Sequence, residues 1–251
     1  LAFRSDGGGM NDRVHLFLSP EHPCGYLQGR VARNAYIDPA LPLSATRYGW
    51  LLEQGFRRSG VHVYRPHCMG CTRCIPARIP VSQFRPNRSQ RRCQGRNDDL
   101  QLRVTNRLSD EHFALYRDYL RSRHADGGME PDNREAFEQF LQCSWGEVQY
   151  WEFRADQRLL AVAVVDRLPL ALSAVYTFYD PEATRRSLGT QAVLQQIEVA
   201  RQAELPHVYL GYWVPGSRKM EYKRDYQPLE VFSGGQWRRF EPDRGTRSDL
   251  R

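Results

Sequence analysis

From residue 147 onward the chain presents three apolar runs in close succession, at residues 148–153, 159–165 and 170–178. They are rich in Val, Ala, Leu and aromatics and are broken by Ala155-Asp156 and Arg167-Leu168-Pro169. Runs of this length, bounded by turn residues, predict three strands in an antiparallel meander. Residues 190–204 then place Ala192, Val193, Ile197, Ala200 and Ala203 largely on one face of a helix. A further strand is predicted over 208–214. Residues 229–232 and 236–240 flank Gly234-Gly235, a hairpin signal.

The first half is less regular. Residues 48–56 read as a short amphipathic helix stopped near Gly55. Residues 61–64, 75–81 and 100–107 read as strands, with the basic stretch 85–96 between the last two. Ser109 is placed to cap a helix running to about residue 124, 125–133 reads as loop, and a second helix covers 134–142. The expected class is α+β (mixed α/β). Residues 10–107 form a smaller N-terminal α/β unit, 108–146 a helical connection, and 147–251 the C-terminal domain. Residues 1–9 (LAFRSDGGG) precede Met10 and read as an expression scar. Strands, a helix opened by a Gly turn, then another strand resemble the core of the GNAT acyltransferase fold.

Of 36 Lys and Arg only Lys219 and Lys223 are lysine, and the formal net charge is +7. Arginine binds phosphates and carboxylates through a planar fork, so this balance fits a polyanionic partner. Hydrophobic residues at 41% exclude a disordered chain. No apolar run approaches the ~20 residues needed to cross a bilayer, and no secretory signal is evident. Six cysteines are too few for a disulfide framework. A reducing, cytoplasmic setting without membrane contact is expected.

Five clusters could carry chemistry. Cys68, Cys71 and Cys74, in two C-x-x-C steps, could join Cys24 around zinc or an iron–sulfur cluster, or be reduced thiols at a turn. Gly55-Phe-Arg57-Arg58-Ser59-Gly60 could aim two guanidinium groups at an anion. Arg85, Arg88, Arg91, Arg92 and Arg96 would share a face if helical. Arg186-Ser-Leu-Gly189-Thr-Gln191 keeps half of the turn that cradles a CoA pyrophosphate, but Gln191 replaces its small last residue. Gly211-Tyr212-Trp213 and Lys219-Met-Glu-Tyr-Lys223 set aromatics beside the only two lysines.

Taken in order, Cys24-Gly-Tyr-Leu27, Gly55 to Gly60, Val63-Tyr-Arg-Pro66, Val175 to Pro181, Ser187-Leu-Gly189 and Lys219 to Lys223 resemble the aminoacyl-tRNA–protein transferases of the N-degron pathway. The resemblance covers the chain from Met10 to about Phe240. Leu27 stands where the arginine-transferring eukaryotic branch has a second cysteine, so that branch's iron–sulfur ligand set is not reproduced. Cys68, Cys71 and Cys74 before Ile75-Pro-Ala-Arg78 look like the bacterial branch. That branch transfers leucine from leucyl-tRNA to proteins beginning with Asp or Glu, marking them for degradation.

The resemblance implies an activated ester donor, hence no ATP site and no required cofactor. The work left is alignment and stabilisation of a tetrahedral oxyanion. Tyr176, Tyr179 or Tyr212, or a ribose hydroxyl, would protonate the leaving 3′-oxygen. Arg57 and Arg58, with Ser59, would read the acceptor carboxylate. Arg88, Arg91, Arg92, Arg186, Lys219 and Lys223 would hold tRNA phosphates. The alternatives are an arginyl-tRNA–protein transferase, an acetyl-CoA-dependent N-acetyltransferase and a zinc-dependent RNA-binding module. The oligomeric state stays open.

Overall fold

A computed structural model describes residues 14–123 and 130–241, with the backbone of Ala2–Phe3. The strands are β1 (Ala2–Phe3), β2 (Val14–Leu18), β3 (His22–Pro23), β4 (Val31–Ala32), β5 (Asn34–Ile37), β6 (Arg57–Ser59), β7 (His62–Pro66), β8 (Ile75–Pro80), β9 (Gln101–Thr105), β10 (Glu147–Ala155), β11 (Arg158–Leu168), β12 (Ala171–Tyr179), β13 (His207–Trp213), β14 (Glu230–Ser233) and β15 (Gln236–Arg239). The helices are α1 (Ala45–Glu53), α2 (Arg88–Gly95), α3 (Asp110–Arg123), α4 (Arg134–Leu141) and α5 (Leu188–Gln202). The chain is a mixed α+β protein, as its pattern predicts.

The predicted meander is present as β10–β11–β12, antiparallel throughout. It sits inside an eight-stranded sheet ordered β15-β14-β8-β13-β12-β11-β10-β9. β11 shows why its sequence reads as one apolar run. Ala161, Ala163 and Val165 face α5 in one core, while Val162 and Val164 face α3 and α4 in another. A strand covered on both faces has no polar side to alternate with. A third core packs α1 and the five-stranded sheet β1-β2-β5-β7-β6 against Leu168, Ala171 and Tyr209 of the large sheet.

Three expectations change. β8 and β9 lie in the large sheet, so residues before 107 contribute two of its strands and the sheet does not begin at residue 147. The segment read as an arginine turn at 57–60 is a strand, β6, whose hairpin with β7 closes at Gly60 (φ +57). α1 starts at Ala45, because Ser44 accepts from the Arg47 amide. The scar assigned to residues 1–9 lies outside the described residues apart from the Ala2–Phe3 backbone. So does most of the loop at 125–133.

One irregularity positions everything that follows. β12 and β13 are parallel neighbours but are paired only at Ala171–His207, Leu172–Val208 and Ser173–Tyr209. Beyond that rung they part. β12 slips register against β11 between Val164 and Val165, and β13 slips against β8 between Tyr209 and Gly211. Both slips fall where the split begins, as bulges do when they re-aim a strand. Backbone groups facing the gap are left for side chains or a ligand to satisfy.

Candidate functional site

Neighbouring side chains of a strand point to opposite faces. Arg57 and Arg58 of β6 therefore diverge, yet both reach the same rung of the large sheet, where Asp166 of β11 is paired with Ser173 of β12. Arg58 takes the Asp166 end. Its Nε lies 2.9 Å from both carboxylate oxygens and its Nη2 2.6 Å from Oδ1. The remaining donors go to the carbonyls of Gly60 and Leu141. Its side chain is wholly enclosed, so the role of acceptor reader passes away from Arg58: its fork is already full.

Arg57 takes the Ser173 end. Nη1 donates to Ser173 Oγ at 3.0 Å and Nη2 to the Ala174 carbonyl at 2.5 Å, at the point where β12 leaves β13. The guanidinium lies flat against Gly211 of β13. A Cβ there would meet its Nε at 3.1 Å, and the backbone has φ +78. Glycine is required twice over, for the dihedral and for the space. Arg57 is 7% exposed, and among the described residues no carboxylate lies within ion-pair distance of it.

Lys223 completes this end of the split. The short 3-10 helix Glu221–Asp225 brings its Nζ to 2.7 Å from the carbonyl of Tyr212, the residue after Gly211. It is 5% exposed. Burial, followed by the nearby positive charge of Arg57, pushes its ammonium down to about 7, while Cys74 pulls slightly the other way. A phosphate-binding role at the tRNA surface does not suit so enclosed an amine. Lys219, in contrast, is exposed.

The tyrosines expected to donate a proton have different surroundings. Tyr212 is buried, and its hydroxyl donates to the carbonyls of Gly55 (3.0 Å) and Tyr64 (3.3 Å), which commits it to the scaffold. Tyr176 lies in an aromatic layer with Tyr116, Tyr119 and Phe140. Among the described residues its buried hydroxyl has no partner, and burial raises its phenol well above the ordinary range. Tyr179 sits edge-on to Tyr119, ring centroids 4.8 Å apart, and a Cβ added at Gly189, at the start of α5, would meet its ring at 3.5 Å. Of the three it is the one at the mouth of the split.

The flank of the mouth is built by α2. Asn87 and Gln90 form a reciprocal capping box, and Gln90 and Cys93 turn inward. Arg88, Arg91 and Arg92 turn outward, exposed and without an acidic partner among the described residues. Cys93 and Asn97 contact the carbonyls just before α5 (Cys93 Sγ to Ser187 O 3.5 Å; Asn97 Nδ2 to Arg186 O 2.7 Å). This ties the arginine helix to the α5 N-terminus. Arg186 differs from these: both of its terminal nitrogens grip Asp99, at 2.7 and 2.8 Å. Gln191 is buried within α5, its side-chain oxygen unpartnered among the described residues.

Ser59 lies elsewhere. It lines an open cleft of about 1060 Å³ with His62, Arg107 and Gln139, between the β6–β7 turn, α4 and the start of β10. Cys24, Cys68, Cys71 and Cys74 are half-buried free thiols that share one neighbourhood. Burial and then Cys24, Cys68 and Cys71 push the Cys74 thiol up to about 12. Cys68 is held by the backbone of Arg33, at 3.4 and 3.6 Å. Among the described residues no three His, Cys, Asp or Glu side chains stand as a metal-holding group.

Sequence reading did not single out Asp166 and Ser173, although an acid ending the run Ala163-Val-Val-Asp166 is a signal. A charge at the end of such a strand requires a counter-charge. The burial of Lys223 left no local signal.

Known proteins resemble this chain along most of its length. The family models for the arginine-tRNA-protein transferase N terminus and C terminus match residues 22–92 and 111–233. The aspartate/glutamate leucyltransferase of Stenotrophomonas maltophilia R551-3 is 50% identical over 243 residues, covering 94% of this chain and 97% of that one. The enzyme of the same name from Pseudomonas fluorescens Pf0-1 is 49% identical, covering 90% and 96%. That from Saccharophagus degradans is 46% identical, covering 91% and 98%. Among solved structures, the C-terminal domain of a putative lysylphosphatidylglycerol synthetase from Agrobacterium fabrum is similar at a TM-score of 0.44 and 15% identity, over 63% of this chain and 58% of that one. L-PGS from Bacillus licheniformis is similar at a TM-score of 0.46 and 11% identity, over 66% and 58%. With relatives this similar along nearly its whole length, the chain belongs to the aminoacyl-tRNA–protein transferases, among the aspartate/glutamate leucyltransferases.

Proposed function

We propose that this enzyme transfers leucine from leucyl-tRNA to the α-amine of proteins that begin with Asp or Glu. The observation that carries the reading is the split between β12 and β13. Cations without acidic partners among the described residues stand at it, and a helix of outward arginines flanks it. A polyanion needs the second and an acidic acceptor the first.

The chemistry asks little more. The α-amine attacks the leucyl carbonyl, the C–N bond forms, and the ester C–O bond breaks. The proton leaving nitrogen ends on the 3′-oxygen of the terminal adenosine. The donor ester is already activated, so neither ATP nor a metal or other cofactor is required. The α-amine has a reference pKa of ~7.7–8, so a fraction of it is neutral at pH 7. Arg88, Arg91 and Arg92 track tRNA phosphates up to the mouth. In this reading Tyr179 protonates the 3′-oxygen. Half-buried free thiols and a tRNA substrate suit the cytoplasm.

The deciding experiment offers the purified enzyme leucyl-, arginyl- and phenylalanyl-tRNA with Asp-, Glu- and Ala-initiated peptides. Mass spectrometry should find Leu-Asp and Leu-Glu N-termini. Arginine transfer would move the chain to the other branch. No transfer from any aminoacyl-tRNA, with acetylation from acetyl-CoA instead, would overturn the reading.

A further inference from the structure

We propose that Arg57 and Lys223 together form the pocket that takes the side-chain carboxylate of the acceptor's first residue. This rests on the leucyl-transfer reading above and names the group behind its acceptor choice.

The two cations abut consecutive residues of one strand. Arg57 lies against Gly211, and Lys223 donates to the carbonyl of Tyr212. They come from distant parts of the chain, β6 and the 3-10 helix after β13, and both are almost fully enclosed. Buried charges are normally paired, because leaving water costs several kcal/mol per ion. Arg58, one residue away, shows this chain doing so with Asp166. Among the described residues Arg57 and Lys223 are given only neutral acceptors: a serine hydroxyl and two backbone carbonyls. Those bonds leave further N–H donors on each group.

An anion supplied from outside resolves the imbalance. tRNA phosphates have an exposed track on α2 and are poorly shaped to enter so closed a site. A single carboxylate on a short side chain brings one charge and two acceptor oxygens to the pair. The groups facing Lys223 are Arg57 from β6, Cys74 from the loop before β8, the Tyr212 carbonyl from β13 and the ring of Tyr222 on its own helix. None of these is a carboxylate. The lowered ammonium fits too: the amine sheds part of its charge when the pocket is empty and regains it when an acid enters. A neutral first residue would leave Arg57 unanswered, and a site built to bond a group rejects analogues lacking it.

Lys223→Met should raise the KM for Asp- and Glu-initiated peptides by at least ~30-fold, as truncating one partner of a buried charge pair does. kcat and the Kd for leucyl-tRNA should stay near wild type. Lys223→Gln, which keeps a donor without charge, should behave similarly. A loss in kcat with KM unchanged would assign Lys223 to the transition state and overturn the proposal. A weakened tRNA Kd with acceptor preference intact would return it to phosphate binding. The wild-type enzyme gives an independent reading that needs no variant to fold. An N-succinyl peptide is the Asp acceptor without its amine, and calorimetry in buffers of different ionisation enthalpy should show proton uptake on binding at about pH 8. Absence of uptake would overturn the proposal. If wild type transfers leucine but neither measurement moves, this inference fails alone. If wild type transfers nothing, the parent reading fails.

Discussion

Arg57 and Arg58 are adjacent on one strand, equally buried and aimed at the two ends of one rung, yet they do opposite things. Arg58 meets Asp166 and two backbone carbonyls and has no capacity left. Arg57 meets Ser173 and the Ala174 carbonyl beside a strand split, with Lys223 as a second cation. The residue opposite decides the role. An acid closes the electrostatic account inside the fold, whereas a hydroxyl leaves it open to a ligand. The same distinction runs across the molecule. Arg78 is held between Glu53 and Glu230, and Arg186 by Asp99, while Arg88, Arg91 and Arg92 hold no acid among the described residues.

The sharpest break of this comparison is the neutralised member. Arg58→Met strands Asp166 in a buried site, and removing one partner of such a pair costs about 3–5 kcal/mol. Urea denaturation should show that loss. Arg57→Met removes an uncompensated charge and should leave the urea midpoint close to wild type while transfer to acidic acceptors falls. If the two variants lose equal stability, the distinction between a closed and an open end of the rung does not hold.

Gly211→Ala probes the open end more gently. A side chain at φ +78 costs about 1–2 kcal/mol, and its Cβ would press on the Arg57 guanidinium at 3.1 Å. A shift of about 1 Å in a positioned group can cost ~100-fold in rate. Transfer should therefore fall far more than stability. A variant that loses stability but keeps full activity would show that the Arg57–Gly211 contact serves only the fold.

What could be read from sequence follows the range of the physics. The meander, α5 and the β14–β15 hairpin were legible because their signals are local: apolar runs of strand length, a helical face, a Gly-Gly turn. The outward arginines of α2 were legible once a helix was assumed. The pairing of Arg58 with Asp166 spans 108 residues, and the Lys223–Tyr212 bond depends on how a short 3-10 helix folds back under β13. Both are products of tertiary packing, which overrides local pattern. The ordered motifs pointed to β6 and the stretch after β13, but which arginine is neutralised depends on an acid in another strand. Lys223 shows the same limit, since a charged residue in a polar stretch reads as solvated until the fold encloses it.

The smallest effect tests the comparison at the surface. Arg91 and Arg92 stand on the exposed face of α2 with no acidic partner among the described residues, whereas Arg186, a short way off at the α5 turn, is held bidentately by Asp99. Each phosphate contact contributes roughly 0.7–0.9 to the slope of log K against log salt. Replacing Arg91 and Arg92 by Ala should therefore make the slope for leucyl-tRNA shallower by about 1.4–1.8, read by filter binding between about 50 and 200 mM salt. Arg186→Ala should change it less, because its charge is already answered by Asp99 and a surface pair of that kind is worth only about 0–1 kcal/mol. Equal slopes in all three proteins would mean that α2 is a solvated basic face and that tRNA approaches from another side. A larger change from Arg186 than from the α2 pair would mean that Asp99 releases its partner to the tRNA, so that pairing in the free enzyme would not mark which arginines are reserved for structure.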